Sequence, residues 1–116
     1  MRNSALLTLG MYYAATGAWP LLSMRSFEAV TGPKVDRWLV RMVAALALAN
    51  GVALVVGSRR RKPSAEAIAL ALGSAIAFTA IDVTYVARGR IAPIYLGDAA
   101  VEIPLAGAVI WQWLNA

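Results

Sequence analysis

Residues 65–88 read AEAIALALGSAIAFTAIDVTYVAR, an apolar run with a single charge, Asp82, in its interior. A helix needs about 20 consecutive apolar residues to cross the roughly 30 Å of hydrocarbon in a bilayer. Backbone polar groups find no water there and must bond to one another, as they do in a helix. The stretch therefore predicts a transmembrane helix.

Three further apolar stretches of similar length lie at 4–24, 37–57 and 93–114. Only short linkers remain between the four, and short linkers make neighbouring helices antiparallel. The composition agrees, because 60% of the residues are hydrophobic and 15% are charged, against about 45–50% and 25% in soluble domains. The sequence predicts an all-α fold of one domain, 1–116, built as an up-down-up-down bundle of four transmembrane helices.

The linkers carry the signals for the helix ends. Arg25–Asp36 is predicted to be the first linker, with Thr31-Gly32-Pro33 as its turn signal. Ser64 suits the N-cap of the third span, and Glu66 favours the positive end of that helix. Contact with anionic lipid headgroups is predicted for the basic run before it, which consists of Arg59, Arg60, Arg61 and Lys62.

Orientation follows from lysine and arginine, which collect in cytoplasmic loops. The basic residues divide evenly between the two sides, so the compact run decides the prediction. We expect a multi-pass protein of the inner (cell) membrane, with its termini and the Arg59–Lys62 loop in the cytoplasm. Contact with anionic lipid headgroups then accounts for the net charge of +5, and we expect no nucleic-acid partner.

Several kinds of chemistry are excluded by composition, because the chain has no cysteine and no histidine. Disulfide exchange, thiol nucleophiles, zinc sites of Cys and His, and His-ligated haem all require one or the other. No phosphate-binding glycine loop, nucleophile motif or metal-ligand spacing occurs either. The sequence predicts no catalytic residue, no metal site and no cofactor.

Four ionisable residues lie inside the predicted spans, where a charge costs roughly 2.5–3.5 kcal/mol at mid-bilayer. Asp82 is near the end of the third span, Asp98 and Glu102 are one and two turns into the fourth, and Arg41 is one turn into the second. Because consecutive spans are antiparallel, all four fall in the same half of the bilayer. Asp98 and Glu102, four residues apart, also share one helical face.

Two interpretations of these charges remain open. Arg41 could pair with one carboxylate and lock the bundle, but two carboxylates would be left over, so at least one acid is expected to hold a proton at neutral pH. The other interpretation is a polar pocket for ligand binding or proton coupling. Its other predicted members are Tyr85, Trp19 and Asn50. Trp and Tyr also collect at membrane interfaces, and Asn50 also suits a hydrogen bond between helices.

Small residues recur every four positions on the third span, at Ala65, Ala69, Gly73 and Ala77. Such spacing lets helix backbones approach closely. The pattern predicts close packing within the bundle, with a homodimer contact as the alternative.

The segments Trp19–Leu21, Ser26–Lys34 and Asp36–Val40 cover about a fifth of the chain. They resemble a run found in a family of small bacterial integral membrane proteins with four helices and no assigned activity. The resemblance implies the membrane class and no particular chemistry.

Three functions are compatible with the sequence. The first is binding or transport of a small cationic or amphipathic molecule, or of protons, through an acidic intramembrane pocket. The second is an accessory subunit of a larger membrane complex, whose partners are lipids and other chains. The third is an intramembrane enzyme that modifies lipid, which the absence of a nucleophile motif disfavours.

Overall fold

The computed structural model describes residues 3–115, which form α-helices and no strands. The all-α prediction is confirmed. In chain order the helices are α1 (Ser4–Leu22), α2 (Met24–Thr31), α3 (Arg37–Ser58), α4 (Ala65–Ala87) and α5 (Tyr95–Leu114).

The four long helices begin and end within two residues of the predicted spans, while the first linker, for which no helix was predicted, is partly helical. It contains α2, which the side chain of Ser23 caps by accepting a hydrogen bond from the Ser26 backbone nitrogen (3.3 Å). Gly32, at a φ of 99°, ends α2 in a backbone conformation that favours glycine. The predicted cap of α4 is confirmed, because Ser64 Oγ accepts from the Ala67 nitrogen (3.1 Å).

Within residues 3–115, α3 and α4 are long and apolar enough to cross a membrane. The other two long helices, α1 and α5, are less apolar and do not meet the same criterion. α1 carries polar and bulky aromatic side chains such as Tyr12 and Tyr13, and α5 carries Asp98 and Glu102. Ionisable groups also occur inside the two more apolar helices, Arg41 in α3 and Asp82 in α4.

The tightest packing is between α1 and α3, where glycines bring the two backbones together. A Cβ on Gly51 would lie 2.4 Å from the backbone nitrogen of Ala14 and 2.6 Å from the Gly10 carbonyl oxygen. A Cβ on Gly17 would lie 2.6 Å from the carbonyl oxygen of Ala44. Only glycine fits at these positions, so this contact fixes the spacing of α1 and α3.

On another side α1 runs antiparallel to α5. The amide of Asn3 donates to the Val109 carbonyl (3.0 Å), and Gln112 Oε1 accepts from the Ala5 nitrogen (3.1 Å). The core lies around this end of α1 and includes residues from all four long helices, among them Leu6, Leu9, Leu54, Ile68 and Val109. α4 packs mainly against α5, so α1 and α5 join the two helix pairs.

The small residues of α4 do not take part in this packing. Ala65, Ala69, Gly73 and Ala77 are all exposed, and a Cβ on Gly73 would meet no atom within 4 Å. The expectation that they pack inside the bundle is wrong. α4 instead buries Ile68, Ala71 and Ala75.

Candidate functional site

Three acidic side chains from α4 and α5 meet at one point. One carboxyl oxygen from each of Asp82, Asp98 and Glu102 lies within 4.8 Å of the other two. The short α4–α5 connection places the end of one helix beside the start of the next, and the four-residue spacing of Asp98 and Glu102 puts both on one face. Asp82 is 4% exposed, Glu102 is 0% exposed and Asp98 is half-buried. We call these three residues the carboxyl cluster.

Two adjacent tyrosines of α1 cover the carboxyl cluster. The hydroxyl of Tyr12 donates a hydrogen bond to Asp98 Oδ1, and the hydroxyl of Tyr13 donates to Glu102 Oε1. Tyr13 is buried, and its ring packs against Phe78 of α4 with a centroid distance of 5.4 Å. α1 therefore supplies two hydrogen-bond donors to a cluster whose acids come from α4 and α5.

Part of the carboxyl cluster has no partner. Asp82 Oδ2 and Glu102 Oε2 are buried and make no hydrogen bond, and the same is true of the Thr79 hydroxyl, three residues before Asp82 on α4. Among the described residues, no Lys or Arg nitrogen lies within 4.0 Å of these acids. Three carboxylates held this close, two of them buried and none with a basic partner, would repel one another, so the arrangement favours the uptake of protons or of a cation.

The donor set determines which cations would suit the cluster. It offers carboxylate, hydroxyl and phenol oxygens and no sulfur or imidazole. Hard cations such as Mg²⁺, Ca²⁺ or an alkali ion prefer oxygen ligands, whereas copper and zinc favour nitrogen and sulfur. The sequence positions 82, 98 and 102 form no metal motif, and only the fold brings their oxygens into this arrangement.

Three other predicted members of the site lie in different contacts. Trp19 Nε1 donates to Ser26 Oγ (2.8 Å) and so holds α2 against the end of α1. Asn50 Nδ2 donates to Ser74 Oγ (3.2 Å) and links α3 to α4. The ring of Tyr85 lies 5.8 Å from the guanidinium carbon of Arg88. Within residues 3–115 none of them hydrogen-bonds to the carboxyl cluster.

Arg41, the remaining predicted member, lies in a cavity between α2 and the start of α3. The Arg41–carboxylate pair that the sequence also allows is not formed in the described part of the chain. The basic run Arg59–Lys62 is exposed at the other end of the bundle, and its contact with lipid stays a prediction.

Sequence reasoning missed the two tyrosines that complete the site. Their signal is Tyr12 and Tyr13 side by side in the middle of an apolar stretch, away from the ends where interfacial tyrosines collect. A buried phenol usually needs a hydrogen-bond partner, so two such phenols indicate acceptors nearby.

We compared the chain with models of protein families, with curated proteins and with solved structures, and none of them matches it. The functional interpretation therefore depends on the geometry of the site.

Proposed function

We propose that this chain is an integral membrane protein with four membrane-spanning helices, and that it binds protons or a small inorganic cation at the carboxyl cluster. The apolar surface supports the membrane placement. In the 18-residue apolar stretch of α3, 22% of the window is buried inside the chain, and the share is the same in α4. The core helix of a soluble protein is mostly buried. Large apolar side chains such as Leu46 and Ile76 are exposed along these helices.

The observation that carries the proposal is the unpartnered acidity of the carboxyl cluster. Its members stay together only if protons or a cation neutralise them, because buried like charges repel. Each proton or cation that leaves must therefore be replaced by another. Such exchange is the basic step of proton-coupled or cation-coupled transport, and ionisable residues inside membrane helices commonly serve it.

Size favours a small occupant. One oxygen of each of the three acids lies within 4.8 Å of the other two, a spacing that suits ligands around a single ion. A proton or a single ion needs only the oxygens already present, whereas an amphipathic molecule needs a large apolar pocket. We therefore place protons and small inorganic cations ahead of larger organic ones.

Access to the cluster is graded along α5. Asp98 lies in the first turn of the helix and is half-buried, together with its partner Tyr12. Glu102 lies one turn deeper and is fully buried with Tyr13. An ion or proton entering from the α4–α5 loop would meet Asp98 first and Glu102 second. We propose that the termini lie on the cytoplasmic side. The α4–α5 loop, where an ion or proton would enter, then lies on the opposite side of the membrane.

The test measures proton release from the purified full-length protein in detergent, in weak buffer, as Mg²⁺, Ca²⁺, Na⁺ or K⁺ is added. If a cation displaces protons from the cluster, the wild type releases protons in a saturable way. Asp82→Asn with Glu102→Gln should abolish this release, while Glu66→Gln, which removes an exposed carboxyl outside the cluster, should leave it unchanged.

The same proteins in liposomes with a trapped pH dye separate binding from transport. Proton flux that needs Asp82 and Glu102 would support transport, and binding without flux would limit the role to binding. Binding and flux that are both unchanged in the double variant would refute the proposal. A double variant that fails to fold is replaced by Asp98→Asn, which changes the least buried acid.

A further inference from the structure

We propose a second site, a phosphate-binding cavity between α2 and the start of α3. The cavity has a volume of about 340 Å³ and lies at the same end of the bundle as the α4–α5 loop. That volume is within the roughly 300–1,000 Å³ of small-ligand pockets. Its lining consists of Met24, Arg25, Glu28, Arg37 and Arg41. Three guanidinium groups and one carboxylate leave two positive charges without compensation.

One of the three arginines is held in place by the only acid of the cavity. Arg37 Nε donates to Glu28 Oε1 (2.7 Å), and Arg37 Nη2 donates to Glu28 Oε2 (3.1 Å). The hydrogen bonds from Arg37 keep the pKa of Glu28 below its ordinary value, so the pair persists at neutral pH. This two-bond contact connects α2 with the start of α3.

The other two arginines are free to bind a ligand. Within residues 3–115, Arg25 and Arg41 make no side-chain hydrogen bond and no ion pair. Arg25 stands on α2 and Arg41 on the second turn of α3, so the two guanidinium groups enter the cavity wall from different helices. A guanidinium group presents paired donors that match two oxygens of a phosphate.

The start of α3 adds to this preference for an anion. The side chain of Asp36, at the N-cap, makes no capping hydrogen bond. The first α3 nitrogen that bonds to the Asp36 carbonyl belongs to Leu39. Among the described residues the backbone N–H groups of Arg37 and Trp38 have no carbonyl partner, so this helix end favours negative charge, part of which the Asp36 carboxylate supplies.

The depth of the cavity fits the phosphate layer of a bilayer. The backbone of Arg41 lies one turn inside the predicted span, roughly 6 Å from Arg37 at 1.5 Å per residue, and its long side chain can reach back toward the start of α3 and the headgroup layer. The headgroup layer on each side of the hydrocarbon is about 5–7 Å thick. A phospholipid phosphate would lie within reach of both free arginines, and a soluble phosphate compound could enter from water. Only the lipid source depends on the membrane placement proposed above.

The experiment compares three full-length proteins in detergent: wild type, Arg25→Gln/Arg41→Gln and Arg88→Gln/Arg90→Gln. The last variant loses the same charge at the same end of the bundle, outside the cavity. Native mass spectrometry measures titration with dioleoylphosphatidylglycerol and, as a matched lipid without phosphate, dioleoylglycerol. Equilibrium dialysis measures inorganic phosphate.

Loss of two charge-assisted contacts should weaken phosphatidylglycerol binding roughly 10- to 100-fold in Arg25→Gln/Arg41→Gln. The control variant should keep most of the wild-type affinity, and dioleoylglycerol should not distinguish the proteins. Phosphatidylglycerol binding without inorganic phosphate binding would identify lipid as the source, and the reverse would identify a soluble phosphate compound.

Equal phosphatidylglycerol affinity in the wild type and the cavity variant would overturn the proposal, as would an equal loss in the control. If the cavity variant does not fold, Arg41→Lys takes its place. It keeps the charge but removes the paired donors, and it should weaken binding by a smaller factor. None of these changes touches the carboxyl cluster, so proton release stays available as an independent readout.

Discussion

Two faces of α1 contact neighbouring helices through different kinds of interaction. The face toward α3 carries Gly10 and Gly17, and the facing side of α3 carries Gly51. Because none of these residues has a side chain, the two backbones are in direct contact. The face toward α5 uses Tyr12 and Tyr13, whose hydroxyls bond to carboxyl groups. The first contact depends on shape and the second on hydrogen bonding.

The difference indicates where the molecule can change state. The glycine contact has no ionisable group and no spare volume, so it gives the bundle a fixed frame. The tyrosine contact contains acids that protons or cations can neutralise. Under the proposed function we expect its geometry to respond to pH and ions and the glycine contact behind it to stay unchanged. One helix can do both because side chains about 100° apart around its axis point to different neighbours.

The largest effect is expected from adding volume to the glycine contact. Gly51→Leu should lower the free energy of unfolding by more than about 3 kcal/mol, because the space beside Gly51 is occupied by backbone atoms that cannot rotate away. The measurement is unfolding of the purified protein by SDS in mixed micelles. Gly107→Leu is the control, since nothing lies within 4 Å of a Cβ at Gly107. Equal stability of the two variants would show that α1 and α3 are not in close contact.

A smaller effect is expected from the tyrosine contact. Tyr13→Phe keeps the ring against Phe78 but leaves Glu102 with no hydrogen-bond donor, which should cost about 1–3 kcal/mol. Tyr12→Phe should cost less, because Tyr12 and its partner Asp98 are half-buried and water can replace the hydroxyl. The same unfolding assay applies, and a larger loss in Tyr12→Phe would contradict the described burial of the two pairs.

The smallest effect is expected between α3 and α4, where Asn50 and Ser74 are joined by one hydrogen bond. A double-mutant cycle of Asn50→Leu and Ser74→Ala should give a coupling energy of about 0.6 kcal/mol, the average for such bonds between membrane helices. A coupling energy larger than that of the Tyr13–Glu102 pair, measured by the same kind of cycle, would contradict the expected order of contact strengths.

The sequence was a good guide to the long helices and to the position of the three acids at one end of the bundle. Apolar length determines the helices, and the alternating direction of neighbouring helices places Asp82 beside Asp98 and Glu102. It was a poor guide to which faces meet. The regular small residues of α4 are exposed, whereas the contact that uses glycines has them on α1 and α3, at Gly10 and Gly51 among others. Spacing along one helix shows that a close approach is possible, but the partner depends on the shape of every other helix.

The paired tyrosines also determine the offset between α1 and α5. Tyr12 and Tyr13 are neighbours in sequence, but their acceptors Asp98 and Glu102 are a full turn apart. Sliding α5 by one turn would bring an acid to only one of the two hydroxyls and would leave another acid without a donor. The two hydrogen bonds thus select one offset between α1 and α5, whereas a purely apolar contact would allow several. The acids proposed to bind a proton or an ion also specify how the helices are aligned.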